Sequence, residues 1–138
     1  MRSAVLDTNV LASGFTVAGG IPDRLLRAWL AGSCALVVSE PILTELTRTF
    51  QKPYFRTRLS ATQIAQNLAL QRSRARVTPL TAHVAGVASH PEDDLVLAAA
   101  LSTRADYLVT GDRKLQDLQS YQGVAILSPR AFLDALTP

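Results

Sequence analysis

Short apolar runs alternate along this chain with segments of helical period. Four runs end at a polar residue or a turn, which is typical of buried β-strands. They span residues 1–6, 35–38, 107–109 and 124–127. Between and after these runs, apolar positions three and four residues apart predict amphipathic helices. The alternation of strands and helices predicts an α/β protein.

Capping residues and prolines mark where the predicted helices begin. Helix starts are expected at Pro22, Ser39, Ser60, Pro91 and Ser128, because these residue types cap a helix or open its first turn. Strands joined by helices pair in parallel through right-handed crossovers. We therefore expect a three-layer α/β/α sandwich around a central, mainly parallel sheet of four to five strands.

The composition is that of one ordinary globular domain, expected over residues 1–138. Hydrophobic residues make up 48% of the chain and charged residues 18%, which supplies enough apolar surface for one core and argues against disorder. The longest strictly apolar run, 95–101, has seven residues, so no membrane span is predicted. A lone cysteine, Cys34, cannot form an internal disulfide, and the expected location is the cytoplasm.

Basic and acidic residues are separated along the sequence. Fourteen Lys and Arg against eleven Asp and Glu give a net charge of only +3. Seven of the basic residues lie between residues 47 and 90, where there is no acid. This segment could bind RNA, with Arg56 and Arg58 as candidate contacts beside the aromatic Tyr54 and Phe55. The alternative is a solvated surface on which the arginines only maintain solubility.

Two aspartates follow predicted strands directly. Asp7 comes after the first strand, and Asp112 comes after the 107–109 strand, Thr110 and Gly111. Ligands of open parallel sheets bind outside the carboxyl ends of the strands, so both carboxylates are candidate functional groups. Each also has a purely structural interpretation, as an Asx turn for Asp7 and a helix N-cap for Asp112.

Further acids lie on two predicted helices. Glu45 lies beside the apolar stripe of its helix, where its partner is either a metal ion or Arg48 one turn later. Glu92, Asp93 and Asp94 open an alanine-rich helix, where acids also interact well with the helix dipole. Carboxylates without a Cys or His ligand pattern suit a hard cation, Mg²⁺ or Mn²⁺, and disfavour zinc.

Four motifs resemble those of the PIN domains, small metal-dependent ribonucleases best known as toxins of bacterial type II (VapBC-like) toxin–antitoxin pairs. The motifs are 5–10 (VLDTNV), 39–46 (SEPILTEL), 91–94 with 97–101 (PEDD and LAAAL) and 107–112 (YLVTGD). They follow the family's order and spacing, and the resemblance covers nearly the whole chain. One departure is that residues 90–93 read His-Pro-Glu-Asp where the closest branch of the family usually has Asp-Pro-Asp-Asp.

The resemblance implies an endoribonuclease whose catalytic and metal-binding residues are Asp7, Glu45, Asp93 and Asp112, with Mg²⁺ or Mn²⁺ as cofactor. The additional Asp94 leaves the third acid open from periodicity alone, and the family's spacing to the alanine-rich run selects Asp93.

Substrate contacts and partners also follow from the resemblance. The polar residues implied near the substrate are Thr8, Asn9 and Thr110. The implied partners are RNA, a cognate antitoxin protein and a second copy of the chain in a homodimer, with no membrane.

Other functions remain as alternatives. The main one is a catalytically silent PIN-like module that binds RNA or protein. A phosphatase with Asp7 as its nucleophile is disfavoured, because Asn9 stands where a second acid would be expected. The acidic set alone does not distinguish RNA cleavage from DNA cleavage.

Overall fold

The computed structural model describes residues 1–137. Its strands are β1 (Ser3–Leu6), β2 (Ala35–Ser39), β3 (Arg76–Thr78), β4 (Tyr107–Val109), β5 (Ser120–Tyr121) and β6 (Val124–Leu127). Its helices are α1 (Thr8–Thr16), α2 (Ile21–Leu30), α3 (Glu40–Phe50), α4 (Pro53–Arg56), α5 (Ala61–Arg74), α6 (Pro91–Thr103), α7 (Arg113–Gln116) and α8 (Pro129–Leu136). Among residues 1–137, no helix has both the length and the hydropathy that a membrane-spanning helix needs.

All six strands form one sheet in the order β3-β2-β1-β4-β6-β5. Every neighbouring pair is parallel except β5 with β6. The predicted α/β class and mainly parallel sheet are therefore confirmed, whereas the predicted number of strands, four to five, is wrong. Both edge strands are too short and too exposed to give an apolar run: β3 has three residues and β5 has two.

The strand order reverses direction between β1 and β4. From β1 the chain moves outward through β2 to β3, and it then returns to the other side of β1 to form β4 and β6. Right-handed crossovers in opposite directions place their helices on opposite faces of the sheet. The crevice at the carboxyl ends of β1 and β4 is therefore the topological switch point, where ligands of such sheets bind.

The core lies on both faces of the central strands. Val5, Val37 and Leu108 are fully buried at the centres of β1, β2 and β4. Helix α6 packs against β1, β2, β3 and β4, and its small residues 98–100 are buried, which lets the helix approach the sheet closely. This packing fixes where the first turn of α6 meets the switch point.

Helix α1 was not expected from the sequence. It begins directly after β1, and Asp7 is its N-cap. It packs on α2 through Gly14, where a Cβ atom would collide with the side chain of Leu26. The close packing of the two helices explains why a glycine is tolerated inside a helix that local propensity does not favour.

Candidate active site

A cavity of about 550 Å³ opens at the switch point. Three carboxylates line it: Asp7 at the end of β1, Asp112 three residues after β4, and Asp93 in the first turn of α6. This acidic cavity brings together residues from three distant parts of the sequence, because the sheet places both strand ends beside the start of α6.

Asp7 is held by donors on both carboxylate oxygens. Oδ1 accepts the Val10 backbone N–H at 2.8 Å, as expected of an N-cap. Oδ2 accepts the Thr110 hydroxyl at 2.7 Å and the Gly111 N–H at 3.2 Å. Asp7 is 4% exposed, and these hydrogen bonds orient its carboxylate from the first turn of α1 and from the loop after β4.

Thr110 connects the two strand-end aspartates. Its hydroxyl donates to Asp7 and accepts the Asp112 backbone N–H at 3.0 Å. Its own backbone N–H donates to Leu127 of β6 at 3.0 Å. Thr110 is fully buried. Its two hydrogen bonds fix the positions of Asp7 and Asp112 relative to each other.

Asp112 is the N-cap of α7 and is also held by the loop before α6. Oδ1 accepts the Lys114 N–H at 3.0 Å and the Ser89 hydroxyl at 2.8 Å, and Oδ2 accepts the Ser89 N–H at 2.9 Å. Burial opposes ionisation of Asp112, but these hydrogen bonds together hold its pKa below the ordinary value. Asp112 is therefore an anion at neutral pH.

Asp93 has a different environment. Its pKa is raised to about 6, first by burial and then by the negative charges of Asp7 and Asp112, whereas His90 has a smaller opposing effect. Within residues 1–137, its carboxylate accepts no hydrogen bond. The group that is hardest to ionise thus faces two anions, an arrangement that a bound cation would relieve.

The neighbouring acid, Asp94, points away from the acidic cavity into the loop before α6. It is 5% exposed, and it accepts three backbone N–H groups, from Gly86 at 3.0 Å, Val87 at 3.1 Å and Ala88 at 2.7 Å. Residue 89 follows this loop directly, so Asp94 also fixes the position of Ser89 against Asp112.

Glu45 lies apart from the three aspartates. It lines an adjoining cavity of about 690 Å³, together with Glu92 and Asp94. Its carboxylate forms an ion pair with Arg48 at 3.2 Å. Ser89 lines both cavities, so the two are neighbours, but the structure does not place Glu45 in the acidic cavity.

The predicted substrate contacts are divided between two regions. Asn9 lines the acidic cavity, and Thr8 is buried beside it in α1. Arg56 and Arg58 do not line the acidic cavity; Arg56 donates to the Gln51 side chain at 2.6 Å, and Arg58 lies 3.7 Å from the centre of the Tyr54 ring.

Among the cavity-lining residues that sequence reasoning did not select, four polar or charged ones lie next to its candidate acids in the sequence: Ser89, His90, Arg113 and Lys114. The sequence feature that marks these four residues is their position next to the candidate acids. Ser89 and His90 precede the acidic start of α6, and Arg113 and Lys114 follow Asp112 directly. Residues next to an acid that reaches the carboxyl edge of the sheet, from a strand end or from a helix start, reach the same edge, so this adjacency could have identified them.

The donor chemistry of the acidic cavity fits a hard divalent cation. Its acids offer only carboxylate oxygens, the ligand type that Mg²⁺ and Mn²⁺ prefer. Within the described part of the chain, no three Asp, Glu, His or Cys side chains converge as ready-made ligands. A bound ion would therefore require at least one carboxylate to move, and Asp93 is free to do so because its carboxylate accepts no hydrogen bond in this part of the chain, whereas Asp7 and Asp112 are held by their donors.

Comparison with known proteins yields a family and a fold. A sequence model of the family described as PIN domain matches residues 3–114. No curated protein matches the chain. The structure is similar to a chain in the crystal structure of VapBC2 from Rickettsia felis bound to a DNA fragment from their promoter, with a TM-score of 0.59 and 16% identity over 91% of this chain and 97% of that chain. At this identity the similarity shows the fold alone.

Proposed function

The chain belongs to the PIN domain family, and from this premise and the acidic cavity we propose that it is a metal-dependent endoribonuclease. The observation that carries the proposal is the meeting of Asp7, Asp93 and Asp112 in one cavity at the switch point of the sheet. A purely structural use of these acids would explain the caps made by Asp7 and Asp112. It would not explain an unpartnered Asp93 facing two anions.

Asp7, Asp93 and Asp112 are the residues that would hold Mg²⁺ or Mn²⁺. When bound, the ion supplies an activated water and stabilises charge on the attacking and leaving oxygens of the phosphodiester. Thr110 keeps Asp7 and Asp112 at a fixed separation through its two hydrogen bonds. No protein nucleophile is required, and hydrolysis leaves no covalent intermediate on the chain.

Glu45 is assigned an outer position in this proposal. Its cavity adjoins the acidic cavity across Ser89, so its negative charge extends the acidic field toward one side of the site. The ion pair with Arg48 is partly exposed and correspondingly weak. It can therefore open without a large loss of stability when Glu45 turns toward a cation.

We also propose that the protein is the toxin of a toxin–antitoxin pair, acting on RNA in the cytoplasm and bound by a cognate antitoxin. The similarity of its fold to a chain of the VapBC2 complex supports this assignment. The homodimer is proposed from the family resemblance alone. Helix α2 offers little apolar surface for a second copy, because Leu25, Leu26 and Trp29 are buried within the chain and only Leu30 of these four is exposed.

The proposal is tested with Asp7→Asn and Asp112→Asn. Each change removes a charge while keeping the side-chain shape, so cleavage of single-stranded RNA in Mg²⁺ should be lost while the fold is retained. The matched control is Asp134→Asn, the same change at an exposed residue of α8, which should cleave like the wild type.

Cleavage is measured with a labelled RNA in Mg²⁺ and in EDTA. Cleavage by the wild type in EDTA would contradict the assignment as a metal-dependent nuclease. Undiminished cleavage by both Asp7→Asn and Asp112→Asn in Mg²⁺ would contradict it as well. Binding of RNA without turnover in Mg²⁺ or Mn²⁺ would instead identify the catalytically silent binding module.

A further inference from the structure

We propose that Arg113 and Lys114, at the start of α7, form the site that holds the phosphodiester backbone of the substrate beside the aspartates. This inference rests on the proposed endoribonuclease function and names the residues that bring its substrate to the acidic cavity.

The first support is position. Arg113 and Lys114 directly follow Asp112, and both line the same cavity as the three carboxylates. Their backbone is fixed: the Lys114 N–H donates to Asp112, and the Gln116 side chain donates to the Thr110 carbonyl at 2.6 Å. The two basic side chains therefore extend from a well-anchored turn at the edge of the site.

The second support is availability. Both side chains are exposed, and neither takes part in an ion pair within the described chain, where the ion pairs use Arg27, Arg48 and Arg72. A side chain that has no anionic partner can neutralise a phosphate without first breaking a contact. These two cations can therefore bind a phosphate at little cost.

Electrostatics supply the third support. Three carboxylates repel a polyanion, and one divalent cation would offset only two of their charges, so further positive charge at the same place favours the approach of a substrate phosphate. Arg113 and Lys114 supply two positive charges next to Asp112. Arg can hold a phosphate with two parallel hydrogen bonds, and Lys acts as a point charge.

The basic segment around α4 is a weaker candidate for this contact. Arg56 is already bonded to Gln51, and Arg58 donates to the Tyr54 carbonyl at 2.7 Å while its guanidinium covers the Tyr54 ring. Neither residue lines the acidic cavity. Binding at α4 would therefore give up existing contacts and would leave the phosphate away from the aspartates.

Backbone contacts of this kind have a measurable signature. Contacts to phosphate carry no sequence information and depend steeply on salt, because each one releases condensed counterions. For a single strand, a plot of log K against log salt has a negative slope. Each phosphate contact that is lost makes this slope less steep by about 0.7. Removing both basic side chains should therefore flatten the slope by about 1.4.

The test compares two paired substitutions. Binding of a fluorescently labelled ten-nucleotide single-stranded RNA is followed by anisotropy in EDTA over a series of salt concentrations. R113A/K114A should weaken binding about tenfold or more at low salt and flatten the slope as above. R56A/R58A is the matched control, with the same change in charge, and should bind within about twofold of the wild type.

Folding of each variant is checked by thermal unfolding. Alanine at residue 114 keeps the backbone N–H that donates to the N-cap Asp112, and R113Q/K114Q provides a second variant with strong helix formers at both positions. Both pairs of changes at α7 should give the same loss of binding with little change in melting temperature.

The outcomes separate this inference from the proposed function. If the wild type binds and cleaves RNA while R113A/K114A and R113Q/K114Q bind with unchanged affinity and slope, the inference is wrong and the nuclease assignment stands. If only R56A/R58A flattens the salt dependence of binding, the RNA backbone binds at α4 and the inference is again wrong. If the wild type neither binds nor cleaves RNA, both fail.

Discussion

Replacing Asp93 and Asp94 by asparagine, one at a time, should change stability in opposite directions although the residues are neighbours. The pKa of Asp93 is raised from its ordinary value of 3.8 to about 6 by burial and by the charges of Asp7 and Asp112. Its ionised form therefore destabilises the fold without metal. Asn cannot ionise and removes this cost, so Asp93→Asn should stabilise the metal-free protein at pH 7.5.

The size of this gain follows from the pKa difference. About two pKa units correspond to about 3 kcal/mol, and solvent in the open cavity screens this to about 1–2 kcal/mol. The sign depends on pH. Between the unfolded and folded pKa values the native state retains a proton that the unfolded state releases, so wild-type stability falls as pH rises from about 4 to 6. The advantage of Asp93→Asn should appear over the same range.

Asp94→Asn should destabilise the protein. The carboxylate accepts from Gly86 on one oxygen and from Val87 and Ala88 on the other. An asparagine amide nitrogen is a donor, so at least one backbone N–H would face another donor inside the protein. Hydrogen bonds to charged groups are worth about 1.5–3 kcal/mol each, and the expected loss is about 2–4 kcal/mol.

The assay is thermal and urea unfolding in EDTA from pH 4.5 to 7.5. For a chain of this length, 1 kcal/mol shifts the melting temperature by roughly 3–4 °C. Asp93→Asn should melt several degrees above the wild type at pH 7.5 and close to it at pH 4.5. Adding Mg²⁺ should raise the melting temperature of the wild type more than that of Asp93→Asn. Shifts of the same sign for Asp93→Asn and Asp94→Asn, or a gain independent of pH, would refute the reasoning.

Two further changes test the core and the adjoining cavity. Gln71 is fully buried, and among residues 1–137 neither polar atom of its side-chain amide has a hydrogen-bond partner. Gln71→Leu should therefore raise the free energy of unfolding by about 1–3 kcal/mol, and a lower free energy of unfolding in urea titrations would show that the amide is needed. Glu45→Gln should reduce RNA cleavage less than Asp93→Asn does, because Glu45 lies outside the acidic cavity; equal losses in matched turnover assays would place Glu45 among the inner ligands.

Those parts of the fold that depend on local pattern were predictable. Ser39, Ser60 and Ser128 cap α3, α5 and α8 as expected, each accepting a backbone N–H from the first turn. The central strands β1, β2, β4 and β6 lie where apolar runs end at polar residues. Both signals are local, because a cap needs only its own first turn and a buried strand needs only a run of apolar side chains.

The elements that were missed depend on tertiary contacts. Helix α1 is fixed by Asp7 and by the close approach of Gly14 to α2. Strand β5 pairs with β6 through a turn in which Gln122 and Gly123 both have positive φ, a geometry that suits hairpins. Strand β3 completes the other edge with only three residues. None of these carries an apolar period that would identify it in the sequence.

The distinction between Asp93 and Asp94 shows what the sequence could not decide at the site. Helical period placed both beside buried residues of α6, and only the loop before the helix separates them. Residues 86–88 carry no hydrophobic pattern, yet their three N–H groups take up the charge of Asp94 and leave Asp93 unpartnered in the acidic cavity. Because the same loop continues into Ser89, which holds both oxygens of Asp112, one acid stabilises the scaffold of the site while its neighbour keeps its ligand capacity for a cation.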